Sequence, residues 1–280
     1  MTDGTEGRGQ QSAPLKEWNA SAYHRVSEPQ FAWGLRVLDR LSLRGDERAL
    51  DAGCGSGRLT RELAARLPAG SVVACDLSEN MVRAAATTLG LASGGPLPSE
   101  PCAHAVICAD LLALPFRRCF DVIFSTATFH WVRNHERLFG GLRESLRHPG
   151  VLEAQCGGGA NLQRVHARAT ALASTTRFRP YFSTWEDPWV YAWPDDAEAL
   201  IRRAGFARVR CWLDESPTSF ADAERYRSFL ESVVMRPFLA RLPTADLRSR
   251  FLDALVDAAA ADDHPFTLDY WRLNISAATV

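Results

Sequence analysis

Three glycines spaced two apart, Gly53, Gly55 and Gly57, stand just behind an acid in the run Asp51-Ala52-Gly53-Cys54-Gly55-Ser56-Gly57. A short apolar run, Arg48-Ala49-Leu50, precedes them, and a helical pattern over residues 58–67 follows. Strand, glycine turn and helix in that order open a doubly wound α/β sheet. Glycine permits positive φ there and lets a ligand approach closer than a Cβ would allow. The spacing discriminates among ligands. A phosphate loop ends in Gly-Lys-Ser/Thr, but here Arg58 follows the last glycine and the only lysine of the chain is Lys16. A dinucleotide turn reads G-x-G-x-x-G, and its third glycine would fall at Arg58. The carboxylate of Asp51 would repel a pyrophosphate and attract a ligand carrying ammonium and sulfonium charges.

Three further strand ends fall into register with this turn. Ser71-Val72-Val73-Ala74-Cys75-Asp76 reads as a buried strand ending in an acid, about 20 residues beyond the glycines, where a carboxylate suits ribose hydroxyls. Leu77 follows it, and Ser78 is placed to cap the next helix, with Met81 in the first turn. A third strand, residues 105–109, ends in Asp110-Leu111, and a fourth, residues 120–125, ends in Thr126-Ala127-Thr128-Phe129-His130-Trp131. Open α/β sheets bind ligands at this carboxyl edge.

The series resembles the class I S-adenosylmethionine-dependent methyltransferases. That resemblance implies S-adenosyl-L-methionine as cofactor and an α/β, Rossmann-like, doubly wound sheet of seven strands, mostly parallel with the last strand antiparallel, under a helical cap. It implies cofactor contacts at Asp51, Gly53, Cys54, Gly55, Gly57, Asp76, Leu77 and Thr126. It places Met81 towards the adenine, Asp110 on the exocyclic amine and Leu111 on the ring face. Trp18 and Tyr23 would close over the cofactor as an aromatic lid. A nicotinamide oxidoreductase fits less well, lacking the third glycine and any Tyr-x-x-x-Lys pair. A non-catalytic S-adenosylmethionine-binding protein remains the other rival.

Composition agrees with an enzyme of this size. At 280 residues, 46% hydrophobic and 23% charged, the chain can bury a large core. A net charge of -1 offers no basic footprint for nucleic acid. The seven cysteines show no C-x-x-C or Cys/His metal spacing, so no metal site is expected. Their placement in or beside strands points to buried apolar residues in a reducing, cytoplasmic compartment. No apolar run reaches the length of a membrane span, and the N-terminus does not read as a signal peptide.

The expected organisation is a disordered stretch over residues 1–14 and a single domain over 15–280. Residues 15–40, 160–190 and 217–261 would form the cap. The fifth strand is expected at 151–156, helices near 161–173 and 195–205, the sixth strand at 207–213 and the seventh at 267–276. The protein is expected to be a monomer or dimer.

A narrower resemblance concerns the acceptor. Trp18-Asn19-Ala20-Ser21-Ala22-Tyr23, Phe129-His130-Trp131-Val132-Arg133-Asn134-His135, Val151-Leu152-Glu153-Ala154-Gln155 and Met235-Arg236-Pro237-Phe238-Leu239 look like the trans-aconitate methyltransferases. The malonyl-carrier-protein methyltransferases are similar. The chain departs from the former at Val234-Met235 and in its glycine-rich connections at 91–101 and 157–159. The fourth strand lacks the Asn/Asp-Pro-Pro-Tyr/Phe run of nucleobase amine methyltransferases. The resemblance therefore implies O-methylation of a carboxylate on a small molecule. A hydroxyl, amine or carbon acceptor, or an acyl group on a carrier protein, is the alternative. A carboxylate is ionised at neutral pH and needs no base, but it needs a cationic anchor, for which arginine is best suited. Arg236 is the first candidate, followed by His130 and Trp131.

Overall fold

The apolar runs of the sequence line up as the strands of one sheet, and the intervening amphipathic segments cover its two faces. The computed structural model describes residues 17–18, 28–91 and 104–279. In chain order the elements are α1 (Glu28–Leu38), β1 (Arg48–Ala52), α2 (Arg58–Ala65), β2 (Ser71–Asp76), α3 (Glu79–Thr88), β3 (Ala105–Cys108), β4 (Phe120–Thr126), α4 (His135–Ser145) and β5 (Leu146–Gly157). Then follow α5 (Gln163–Ala173), α6 (Pro194–Arg203), β6 (Ala207–Glu215), α7 (Ala223–Phe229), α8 (Arg236–Leu239), α9 (Ala245–Ala260) and β7 (Trp271–Thr279). The strand order is β3-β2-β1-β4-β5-β7-β6. Strands β1 to β5 pair in parallel, and β7 runs antiparallel to both β5 and β6. The order reverses between β1 and β4, the point at which such sheets open a crevice for ligands.

Alternation along the strands sorts side chains onto two faces. Ala49, Val72, Val122 and Phe124 pack with Val37 and Leu38 of α1 and Leu63 of α2. Leu50, Ile123 and Leu152 pack with Leu138 and Leu142 of α4 and Ile201 of α6. A third apolar cluster owes little to the sheet: Val165 and Ala169 of α5 meet Phe229, Phe238, Phe251 and Leu255. This helical layer stands over the carboxyl edge.

The expected seventh strand divides in two. Thr267–Leu268 pairs with Thr218–Ser219 in a separate two-stranded ribbon, and only Trp271–Thr279 joins the sheet. The break occurs because Asp269 turns to the start of α5. Its carbonyl accepts from Leu162 N at 2.9 Å and its carboxylate from Arg164 N at 2.9 Å. The fifth strand begins at Leu146, earlier than its apolar run, because Leu146 pairs with Phe120 across β4. The expected disordered stretch, Tyr23 and most of the loop at 91–101 lie outside the described residues.

Gly57 shows how tightly the first turn is seated. Its φ is +81°, and a Cβ there would lie 2.8 Å from the Ala85 Cα of α3. Gly57→Ala should therefore destabilise the fold by roughly 1–3 kcal/mol through overpacking, read as a lower urea midpoint. Gly140→Ala, inside α4 with open space around its Cβ, should be neutral or stabilising by about 0.5–1 kcal/mol.

Candidate functional site

The glycine turn is tied to the end of β2 by its backbone. Gly53 N and Cys54 N donate to Cys75 O at 2.8 and 2.9 Å, and Gly55 N donates to Asp76 Oδ2 at 2.9 Å. Asp76 Oδ1 accepts from Ser78 N at 3.0 Å, so one carboxylate spans the turn and the start of α3. Burial pushes the Asp76 carboxyl up from the usual range, against the pull of these N–H donors. The three glycines do different work. A Cβ on Gly53 would strike Thr128 at 2.2 Å, while a Cβ on Gly55 would meet nothing within 4 Å. Gly55 alone of the three faces open space, and it does so with φ +53°.

That space is a cavity of about 470 Å³, counting its open mouth, bounded by Gly55, Asp51, Gln30, Arg58 and Ala127. Asp51 is 2% exposed and accepts a 2.6 Å hydrogen bond from Thr60 Oγ1. Burial pushes its carboxyl up to about 7; the Thr60 hydroxyl opposes the shift, and the charge of Asp76 adds to it. Arg58 is already engaged, donating to Glu28 at 3.0 Å with its guanidinium 4.1 Å over the Phe31 ring. Gln30 Oε1 is buried with no hydrogen-bond donor among the described residues. A buried carboxyl that a nearby cation would ionise, an orphan carbonyl and a side-chain-free backbone fit a ligand with ammonium and sulfonium groups. S-adenosylmethionine is such a ligand.

A second cavity, about 440 Å³ with its mouth, adjoins the first and shares Gln30 and Ala127 with it. Ala127 takes the left-handed conformation, φ +54°, with its N–H bonded to Gln155 O at 2.8 Å. The second cavity is built from His130, Trp131, His166, Trp189, Tyr191 and Arg272, among others. His130 Nδ1 accepts from Gly157 N at 3.2 Å, which leaves the proton on Nε2 and makes that atom a donor. Burial, then the charge of Arg272, holds His130 well below the usual imidazole range. His166 is held down to about 4 by burial, and its ring lies 4.3 Å from that of Trp189. Arg272 is 3% exposed, with its guanidinium 4.7 Å over the Trp33 ring. Among the described residues lining this cavity none is acidic.

The two cavities gather some of the residues expected from the sequence and leave others aside. Asp51, Gly53, Cys54, Gly55 and Thr126 line the first, and His130 and Trp131 the second. Gly57 is committed to helix packing instead. Leu77 is exposed beside the turn and Met81 is buried in α3. Asp110 is exposed and accepts from Leu112 N at 2.9 Å. Leu111, expected on a ligand ring, packs into the apolar cluster with Phe129 and Phe139.

Arg236, expected to anchor the acceptor, lines neither cavity. Its guanidinium stacks 4.0 Å over Trp18, and Nη2 donates to Glu17 O at 2.7 Å. The Glu17 carboxylate in turn accepts from Glu79 N and Asn80 N, both at 3.2 Å, at the start of α3. The Trp18 ring meets Trp131, which lines the second cavity, edge-on at 5.5 Å.

Sequence reasoning missed Gln30, His166, Trp189, Tyr191 and Arg272. Arg272, Asn274 and Ser276 alternate with Leu273 and Ile275, a pattern that reads as a solvent face. Trp33 of α1 lies against Arg272, and the Arg40 guanidinium donates to Asn274 Oδ1 at 2.8 Å, leaving both residues buried.

Comparison with known proteins agrees with the fold. The family described as Methyltransferase domain matches residues 50–154. The chain is 28% identical over 247 residues to a trans-aconitate 2-methyltransferase of Acidovorax sp., covering 86% of this chain and 88% of the relative. It is 28% identical over 229 residues to a malonyl-[acyl-carrier protein] O-methyltransferase of Geobacter sulfurreducens, covering 76% and 78%. Its fold matches that of phosphoethanolamine N-methyltransferase 2 of Haemonchus contortus in complex with S-adenosyl-L-methionine, at a TM-score of 0.56 and 17% identity, over 93% of this chain and 56% of the other. No helix among the described residues is long and apolar enough to cross a membrane.

Two outcomes follow for cofactor binding. Because the free Asp51 carboxyl titrates near 7 and a cationic ligand favours its ionised form, affinity should fall as pH drops from 8 to 6, by up to about tenfold per unit below the pKa. Calorimetric titration with S-adenosylmethionine should show this slope in the native protein and a weaker, flat response in Asp51→Asn. Gly55→Val should abolish binding in a folded variant, since its side chain would enter the open space and resist positive φ.

Proposed function

We infer that this chain, a class I S-adenosylmethionine-dependent methyltransferase, transfers its methyl group to a carboxylate of a small organic acid. The observation that carries this reading is the buried guanidinium of Arg272 in a cavity without acidic lining, joined at Ala127 and Gln30 to the cavity over Asp51. The first cavity holds the Asp51 carboxyl, with Arg58 already paired to Glu28, and the second holds Arg272. One suits a cationic donor and the other an anionic acceptor, and they touch at one place.

The bound cofactor supplies an electrophilic methyl group on sulfonium. Asp51, Gln30 and the Gly55 backbone would hold it, and Asp76 the ribose. Arg272 would orient the acceptor carboxylate, with His130 Nε2–H as a second donor. A carboxylic acid with a pKa near 4 arrives ionised, so one carboxylate oxygen forms the new bond to the methyl carbon as the bond from sulfur to that carbon breaks. The products are a methyl ester and the neutral thioether. No proton has to move. His130 supports this reading, because its acceptor nitrogen is already occupied by Gly157 N–H and cannot serve as a base. The protein's contribution is alignment in a site shielded from water. The acceptors named for the Acidovorax and Geobacter relatives are carboxylates, and the same anchor would serve an acid borne on a carrier protein.

Arg272→Lys should lower kcat/KM for the acid by roughly 10–100-fold, as one charged hydrogen bond of a bidentate pair is lost, while S-adenosylmethionine affinity stays within error. Arg236→Lys should change the acid's KM far less. At saturating cofactor the rate should stay level from pH 8 to about 5. A tenfold loss per unit below 7 would point to a base and a neutral acceptor, and would overturn the carboxylate reading.

A further inference from the structure

The second cavity holds one formal charge. Among its described lining residues Arg272 is the only cation that persists at neutral pH. His130 and His166 are neutral there, held down by burial. The remaining walls are largely ring faces. Trp131 and Trp189 lie 5.5 Å apart, His130 and Tyr191 5.9 Å, and Trp189 and Tyr191 are nearly parallel at 11°. Tyr270, 4% exposed, and Leu162, 5% exposed, add further apolar surface.

Resting on the carboxylate reading above, we propose that the acceptor is a flat monocarboxylate, an aromatic or conjugated unsaturated acid, and not a di- or tricarboxylate. A second carboxylate in this cavity would lose its hydration and find no further cation among the described lining residues, and an unpaired buried charge is the costliest group to desolvate. A planar, apolar body gains instead from offset or edge contacts with the indole and phenol rings. His166 sharpens the choice. Its Nε2 is buried and has no hydrogen-bond partner among the described residues, so a neutral imidazole offers the ligand one hydrogen bond and no charge. It suits a hydroxyl or carbonyl on the acid, where an ionised group would need a cation. Ala127 lines both cavities, so the carboxylate of a flat acid would face that junction while its ring stays among Trp189, Tyr191 and Trp131.

The test is a panel of acids with the full-length protein at saturating S-adenosylmethionine, scored by ester formation: benzoate, trans-cinnamate, 4-hydroxycinnamate, hexanoate, a malonyl pantetheine thioester and trans-aconitate. The expected result is a kcat/KM for at least one aryl acid ten or more times that for trans-aconitate and for hexanoate. Trp189→Leu should raise KM for cinnamate about tenfold and leave the KM for hexanoate within twofold. A general loss of structure would lower both alike, and the panel on the unaltered protein decides the question if that variant does not fold. Preference for trans-aconitate would overturn the inference while leaving carboxylate methylation standing. Preference for hexanoate or the malonyl thioester would overturn it as well, by removing the aromatic body. Methylation of a phenol or amine with no ester from any acid would instead sink the carboxylate reading itself.

Discussion

The left-handed peptide at Ala127 is the constraint on which both cavities depend. A non-glycine residue at φ +54° costs on the order of 1–3 kcal/mol and persists only where its surroundings enforce it. They do so from two sides. Ala127 N–H is held by Gln155 O, and Thr128 Oγ1 donates to Gly53 O at 3.1 Å, locking the end of β4 against the glycine turn. Gln155 is in turn fixed through its side chain, whose Nε2 donates to Asn274 Oδ1 at 2.8 Å, and Asn274 Nδ2 donates to the carbonyl of Arg272 at 3.1 Å. Hydrogen bonds thus run from the peptide where the cavities meet to the strand that carries the buried cation. Straightening the turn after Thr126 would close the junction and disturb the register of β5 and β7 together.

Burying Asp51 and Arg272 on the same sheet edge has a solvation cost that packing alone does not repay. Asp51 meets it by holding its proton until a cation arrives. Arg272 meets part of it by lying over the electron-rich faces of Trp33 and Tyr270, at 4.7 and 5.9 Å. Both groups lie within walls of low polarity, where charge–charge attraction is stronger than in water.

The helical layer supplies the second half of the site. Its apolar cluster, centred on Phe229, Phe238 and Phe251, also takes in Leu162, Trp189 and Tyr270, which line the second cavity. Arg236 belongs to this layer as a fastening. It grips Glu17 and Trp18, whose other contacts reach Ser78 and the first turn of α3. The segment at Glu17 and Trp18 is therefore joined both to the start of α3 and to the helical layer, and the Trp18–Trp131 contact ties it to the wall of the second cavity.

The sequence by itself determined the sheet, its order of strands and helices, and the glycine turn that lines the first cavity. Those features are local: a glycine where backbone must be bare, an acid where a strand stops, a serine where a helix starts. Each requirement is met within a few contiguous residues, so Asp51, Gly55 and Asp76 were legible from spacing alone. Most of the second cavity was decided only by tertiary structure. His130 and Trp131 stood out in the sequence, but His166, Trp189 and Arg272 come from three separated segments, and each looks ordinary where it stands. Arg272 sits in an alternating strand that reads as solvent-facing until Trp33 and Arg40 pack against it. Arg236 reads as an anchor until folding turns it onto Trp18. Which arginine faces the cavity depends on which surface the cap buries. That is settled by packing between distant helices, which leaves no periodic trace in the chain around either residue.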